Sequence, residues 1–357
     1  MPDKKGIFKR LADILNPYAW AVRARNKAFD NGHLESRQFE MPIICIGNIT
    51  VGGTGKTPHT EYLVNLLKDK GNVAVLSRGY GRKSKGYIKA DENTAMSLIG
   101  DEPYQIKEKF PEITVAVCEK RVTGVERLLK EEKRPDIILL DDAYQHRHIK
   151  AGLYILLVDI NRPIWNDCIL PFGRLRESAA GARRADVVIM TKCAPGITRE
   201  DMNRCKELLD TKEGTPLFFS MIEYGTPYPV FPQEAGEAGV QLRGANILLV
   251  TGIANPTPLK KELEAKGANV TLKQYADHHN FVDGDIEEIA KEFGRIGGRK
   301  YIITTEKDAT RLRSIALPQA VKENIHAIPI VIRIIDDKEN MFNQIILDYV
   351  TEDTRNR

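Results

Sequence analysis

The sequence predicts an α/β protein: a parallel sheet with helices on both faces, followed by a smaller second α/β domain. Three observations carry this. Apolar, β-branched runs alternate with helical patterns along most of the chain. A glycine-rich turn joins the first such run to the helix behind it, and a later run ends in two adjacent acids.

The first run, Ile43-Ile44-Cys45-Ile46, has the length and branching of a buried strand. Behind it, Tyr62, Leu63, Leu66 and Leu67 recur at helical spacing. Between them Gly52-Gly53-Thr54-Gly55 runs straight into Lys56-Thr57, the strand–loop–helix order of a phosphate-binding loop. The glycines let successive N–H groups turn inward, and the helix start adds its own unpaired donors and positive dipole end. Gly52, Gly53, Thr54, Gly55, Lys56 and Thr57 are therefore the expected nucleotide-binding set. Lys56 suits the β- and γ-phosphates, and the Thr57 hydroxyl suits Mg²⁺. The fold class is accordingly P-loop NTPase-like. One departure stands out: the pattern G-x-x-x-x-G-K-[ST] has glycine where this chain has Thr50. The flanking strand and helix favour this reading over the alternative, a glycine-rich βα turn with an incidental lysine.

Further strands are expected at 73–76, 114–117, 137–140, 154–158 and 187–190, with helices near 56–69, 102–109 and 121–132. Strands alternating with helices imply right-handed crossovers, with the ligand beyond the carboxyl ends of the strands. Prolines at 195, 216, 227, 229 and 232 and glycines at 236, 239 and 244 then mark a shift in composition. A second series follows: strands near 247–250, 301–304 and 328–332, helices near 257–266 and 283–293, and a last helix at about 338–350. The expected division is an N-terminal helix at 1–29, a kinase-like core at 30–195, a second α/β domain at 196–337, and a C-terminal helix and tail at 338–357.

The chain has 357 residues, 29% charged and 42% hydrophobic, which fits a globular protein of two domains. A net charge of +4 is too weak a basic excess to indicate nucleic acid. Five cysteines without a C-x-x-C pair suggest neither a disulfide framework nor a zinc site. No apolar run approaches the roughly 20 residues that span a bilayer. The first 29 residues hold seven Lys/Arg against two acids. Ile7, Phe8, Leu11, Ile14 and Leu15 share a helical face, and Asn16-Pro17 restarts a helix bearing Tyr18 and Trp20. These features fit an amphipathic helix lying in a membrane surface, and equally one packed on its own domain.

Asp136 to Asp142 reads as an apolar strand ending in Asp141-Asp142, the form of a Walker B element able to hold Mg²⁺ opposite Thr57. Gln145, three residues on, suits orienting a substrate or water. Asp101-Glu102 opens a helix, where acids commonly serve as dipole partners. Asp277-His278-His279 lies in a loop, where a histidine pair is commonly structural. Arg78 and Tyr80 follow a strand in a donor-rich loop, and Arg121, Arg174 and Arg176 add guanidinium groups suited to phosphate. Thr191-Lys192-Cys193-Ala194 stands where a GTPase has N-K-x-D. Without the aspartate, the site favours ATP.

Taken together, GNITVGGTGKTP (47–58), SRGYGR (77–82), GDEP (100–103), DDAYQHR (141–147), PFGRLRE (171–177), TGIANP (251–256), DHH (277–279) and TTEKDA (304–309) resemble the tetraacyldisaccharide 4′-kinases of lipid A synthesis. Departures are modest: Ala143-Tyr144 stands for the usual Gly-Phe, and Phe172 and Arg174 vary the loop before Leu175-Arg176-Glu177. The resemblance implies ATP- and Mg²⁺-dependent phosphorylation of the 4′-hydroxyl of a lipid A disaccharide 1-phosphate. It also implies a peripheral place on the cytoplasmic face of the bacterial inner membrane, anchored by the N-terminal helix. Asp101 would accept the hydroxyl proton with His278 as its partner, beside Lys56. Glu102 would join Thr57, Asp141 and Asp142 around the metal, and Arg78, Tyr80, Arg121, Gln145, Arg174 and Arg176 would face the substrate. The second domain would close over ATP. No nucleic-acid or protein partner is evident. The alternatives are a P-loop kinase for another membrane glycolipid or sugar, and a membrane-tethered nucleotide switch.

Overall fold

A computed structural model describes residues 15–236, 239–277 and 279–355. Most of the apolar face expected between Ile7 and Leu15 lies outside these residues, as does His278. Helix α1 (Pro17–Asp30) begins as the sequence suggests: the Asn16 side chain accepts from the Ala19 amide at 3.1 Å, with Pro17 at the first position. The Asn16 amide also donates to the Leu170 carbonyl at 2.7 Å, which fixes the helix start against the loop at 169–170.

In chain order there follow β1 (Ile43–Gly47), α2 (Lys56–Leu67), β2 (Val73–Ser77), β3 (Ile88–Lys89), α3 (Asp101–Lys109), β4 (Thr114–Val117), α4 (Arg121–Leu128), β5 (Ile137–Asp141), β6 (Leu153–Asp159), β7 (Val187–Thr191), α5 (Arg199–Leu208) and β8 (Leu217–Tyr224). Then come β9 (Asn246–Thr251), α6 (Thr257–Ala265), β10 (Asn269–Gln274), α7 (Asp283–Arg295), β11 (Lys300–Thr305), α8 (Glu306–Leu312), β12 (Ile325–Ile328), β13 (Ile330–Ile334) and α9 (Glu339–Arg355).

The chain divides into two compact units, Met1–Ile222 with Ile332–Arg357, and Glu223–Val331. In the first, the sheet order is β13-β8-β7-β6-β1-β5-β2-β4-β3. The pairs from β8 to β4 are parallel and β3 is antiparallel. β1 is buried throughout because both of its faces are covered, which is why its sequence runs continuously apolar. Ile44 and Ile46 pack with Leu63, Val64 and Leu67 of α2 and with Phe342 and Ile346 of α9. Ile43 and Cys45 pack on the other face with Val125 and Leu128 of α4. The second unit repeats the plan on a smaller scale, with parallel strands ordered β12-β11-β9-β10.

Two differences from the sequence reading have physical causes. The run expected as one strand at 328–332 is two, separated at Pro329. A proline has no N–H to donate to a ladder, and here the chain passes from one sheet to the other. The unit boundary falls at Ile222, later than the expected 195/196, because β8 extends the first sheet. The proline-rich stretch around β8 hid that strand. The C-terminal helix, expected as a segment of its own, packs into the first core through Phe342, Ile346 and Val350.

Candidate active site

Carboxyl ends of neighbouring strands meet beside the glycine loop, as the sheet order requires: β1 lies between β5, which ends in Asp141, and β6, which ends in Asp159. The loop between β1 and α2 has two parts. Its first part is extended: the Val51 amide donates to the Arg174 carbonyl, the Arg176 amide donates to the Ile49 carbonyl, each at 2.8 Å, and Thr50 bridges Leu175. A β-branched residue suits extended backbone, which explains threonine at the position where the common pattern has glycine. Its second part turns. Gly55 caps α2 with φ +86°, a left-handed conformation that favours glycine. The Asn48 side chain reaches in to donate to the Thr54 hydroxyl at 2.8 Å.

The two acids at the end of β5 have different surroundings. Asp141 is 1% exposed and accepts from the Thr60 and Ser77 hydroxyls, each at 3.2 Å. Burial pushes its carboxyl up to about 6; Glu102 and Asp142 add to the rise and Lys56 opposes it. Asp142, with φ +47°, pairs with Lys56 Nζ at 3.7 Å and with Arg176 at 3.0 Å. Burial raises its carboxyl, but Lys56 and Arg176 outweigh that and hold it below the usual range. A buried carboxylate short of positive charge, with two further acids near it, is a chemical fit for a divalent cation. No cluster of three His, Cys, Asp or Glu side chains suited to a metal occurs among the described residues.

Around this centre the expected residues separate into distinct positions. Arg176 also donates to Gln145 Oε1 at 3.3 Å, and Gln145 donates to the Asn48 carbonyl at 2.8 Å and to Glu177 at 2.9 Å. Glu177, buried, accepts in turn from Arg184 at 2.8 Å and from Asn26 of α1 at 2.9 Å. Arg121 is 2% exposed, and its guanidinium donates to the carbonyls of Cys118 at 2.6 Å and Asp141 at 3.2 Å. It therefore braces the end of β5 from behind. Arg78, Tyr80 and Arg174 are exposed.

Asp101 opens α3, and the preceding Gly100, at φ +89°, shows how tightly the two loops meet. A Cβ on Gly100 would lie 2.7 Å from the Tyr80 carbonyl, so the loop carrying Arg78 and Tyr80 rests on the backbone leading to Asp101 and Glu102. In the second unit, His279, next to His278, stacks on Tyr275 with ring centroids 4.7 Å apart and meets Asp285 at 2.7 Å. The sequence reading assigned no individual role to Asn48, Thr60, Ser77 or Glu177. Each is polar and buried in or beside a motif, a signal that burial alone reveals.

Beside the centre, a cavity of about 910 Å³ is lined by Phe29, Leu34, Arg37, Lys120, Arg121 and His146, among others. Burial lowers His146 to about 4, with Arg121 and Arg78 adding to the effect. The imidazole is therefore neutral near pH 7, with burial and nearby Arg121, Arg78 and Arg25 outweighing the opposing charge of Asp142.

Comparison with known proteins places these features in one family. A family model described as tetraacyldisaccharide-1-P 4′-kinase (LpxK) matches residues 11–351. The chain is 48% identical over 354 residues to a tetraacyldisaccharide 4′-kinase of Bacteroides fragilis, covering 96% of this chain and 94% of that one. It is 46% identical over 364 residues to the protein of the same description in Bacteroides thetaiotaomicron, covering 98% and 96%. Among solved structures, LpxK from Aquifex aeolicus in complex with ATP aligns with a TM-score of 0.72 at 28% identity, covering 96% of this chain and 97% of that one.

Proposed function

The chain belongs to the tetraacyldisaccharide 4′-kinase family, and from that premise we propose that it transfers the γ-phosphoryl group of ATP to the 4′-hydroxyl of a lipid A disaccharide 1-phosphate. The observation that carries this reading is the joining of Lys56, Asp142 and Arg176 at the mouth of the glycine loop, beside a carboxylate pushed up to about 6. Phosphoryl transfer asks a protein mainly to position groups and to neutralise charge. The amides of residues 52–57 hold the phosphates, and Lys56 places its charge on the β- and γ-oxygens. Thr57, Asp141, Asp142 and Glu102 are the residues that would hold Mg²⁺, which when bound offsets charge on the transferred group. Asp101, at the start of α3, takes the proton of the acceptor hydroxyl, and His278 assists it.

The acceptor is amphiphilic, and the 910 Å³ cavity offers both kinds of lining, Phe29 and Leu34 beside Arg37, Lys120 and Arg121. With Arg78, Tyr80, Gln145, Arg174 and Arg176 these form the proposed substrate face. A lipid with several acyl chains leaves a bilayer at a cost of about 0.8 kcal/mol per CH₂, so an enzyme resting on the membrane avoids most of that cost. Exposed Leu15, Tyr18 and Trp20, beside exposed Arg23 and Lys27, support such a surface at α1. No helix among the described residues is long and apolar enough to cross a membrane.

The test is incubation of purified protein with ATP, Mg²⁺ and the disaccharide 1-phosphate. The expected result is a mass gain of one phosphate on the lipid, lost when Mg²⁺ is chelated and reduced about 10²-fold in Asp101→Asn. ATP consumption without a phosphorylated lipid would overturn the reading.

A further inference from the structure

We propose that His59, Thr191 and Lys192 are positioning residues that aim the amides of the phosphate loop, a role that rests on reading residues 52–57 as the ATP phosphate site. Three consecutive carbonyls of that loop each accept a hydrogen bond from a side chain outside the glycine-rich motif. Lys192 Nζ donates to the Gly53 carbonyl. Thr191 Oγ1 donates to the Thr54 carbonyl at 2.9 Å. His59 Nδ1 lies 2.7 Å from the Gly55 carbonyl. A carbonyl only accepts, so Nδ1 carries the proton, and Nε2 then accepts from the Ser220 hydroxyl at 2.9 Å.

In a trans peptide the C=O of one residue and the N–H of the next point in opposite directions. Fixing the carbonyls of Gly53, Thr54 and Gly55 on these donors therefore turns the amides of Thr54, Gly55 and Lys56 away from them. Successive amides turned the same way are what a concave anion site needs. Each donor is itself secured. Lys192 meets Asp159, at the end of β6, at 2.8 Å, and Asn161 Nδ2 donates to its carbonyl at 3.3 Å. Its backbone is left-handed, with φ +59°. A non-glycine residue keeps that strain only where its surroundings over-determine it. Thr191, the last residue of β7, is fully buried, and His59 is 3% exposed against Ser220 of β8. The ends of β6 and β7, the middle of β8 and the first turn of α2 thus hold the loop in a binding geometry before any ligand arrives.

The test uses the full chain with Thr191→Val and Lys192→Met. It measures MgATP affinity by calorimetry, KM for ATP and for the lipid acceptor, and the thermal midpoint. Each variant is expected to bind ATP about 3- to 10-fold more weakly, the effect of one lost hydrogen bond. KM for ATP should rise by a similar factor, with KM for the acceptor and the thermal midpoint close to the parent's. Thr191→Ser, which restores the donor, should recover ATP affinity, and His59→Asn should retain more of it than His59→Leu. Unchanged ATP affinity with a lowered midpoint and a smaller active fraction would mean a merely structural role and would overturn the proposal. If the Thr191→Val chain does not accumulate as folded protein, Lys192→Met, at a partly exposed position, decides the matter. The underlying reading fails separately: Lys56→Ala with full ATP binding and turnover would remove the phosphate site itself. Loss in Lys56→Ala with unchanged ATP affinity in the other two overturns only the positioning role.

Discussion

Asp141 ends β5 in the first unit, and Asp308 lies in the first turn of α8, just beyond β11 in the second; both are fully buried. Asp308 accepts from Thr305 Oγ1 at 2.7 Å, the Gly252 amide at 3.0 Å and Thr251 Oγ1 at 3.1 Å, and pairs with buried Arg311 at 3.2 Å. Asp141 accepts from two neutral hydroxyls, and the acids Glu102 and Asp142 near it outweigh the opposing charge of Lys56. The scaffolds are alike, parallel strands delivering an acid to a carboxyl end, yet one acid is complete and the other is left short of positive charge. A completed buried carboxylate fastens loops. An incomplete one costs stability in the ligand-free fold.

The largest expected effect follows from completeness. Asp308→Ala removes the acceptor that Thr251, Gly252 and Thr305 share and a charge partner of buried Arg311, and removing one partner of a buried pair costs about 3–5 kcal/mol. A urea titration should show that loss, and a change under about 1 kcal/mol would erase the contrast. Next comes the incomplete site. Lys56→Ala should lower kcat about 10²–10³-fold, as loss of one transition-state donor does. Folding stability should change far less than in Asp308→Ala, because Asp142 retains Arg176.

Asp308 also shows what the sequence could and could not display. TGIANP and TTEKDA were legible as motifs, but their shared purpose, Thr251, Gly252 and Thr305 converging on one carboxylate, emerges only when β9 and β11 pair. In the first unit, the alternation of apolar runs and helical spacing made the sheet legible, and GGTGKT marked residues 52–57 as the proposed phosphate site. β8 was missed because its apolar residues Leu217, Phe218 and Phe219 sit between prolines at 216 and 227 that read as loop. Arg121 was expected at the substrate and lines the proposed acceptor cavity, and no local pattern could show that its donors also serve two backbone carbonyls.

A smaller effect concerns pH. Burial lowers His146 to about 4 from an ordinary 6.5, so the unfolded chain binds its proton first. The stability that this group contributes is present above about pH 6.5 and is lost as pH falls toward 4. His146→Gln should make the stability curve shallower in that window and leave it unchanged near pH 8. An equally steep acid limb in the variant would place the sensitivity elsewhere.

The contrast itself is tested most directly by one paired measurement: the denaturation free energies of Asp141→Asn and Asp308→Asn, nucleotide-free, at pH 7.5. Asparagine keeps the shape of each acid and removes its charge. Asp141→Asn should be as stable as the parent or more stable, by up to about 3 kcal/mol, since holding that carboxylate ionised is a cost in the ligand-free fold. Asp308→Asn should be less stable by about 2 kcal/mol or more, since it weakens a charge pair with Arg311. Opposite signs are the predicted result. Two losses of similar size would contradict it, because Asp141 would then be as structurally complete as Asp308.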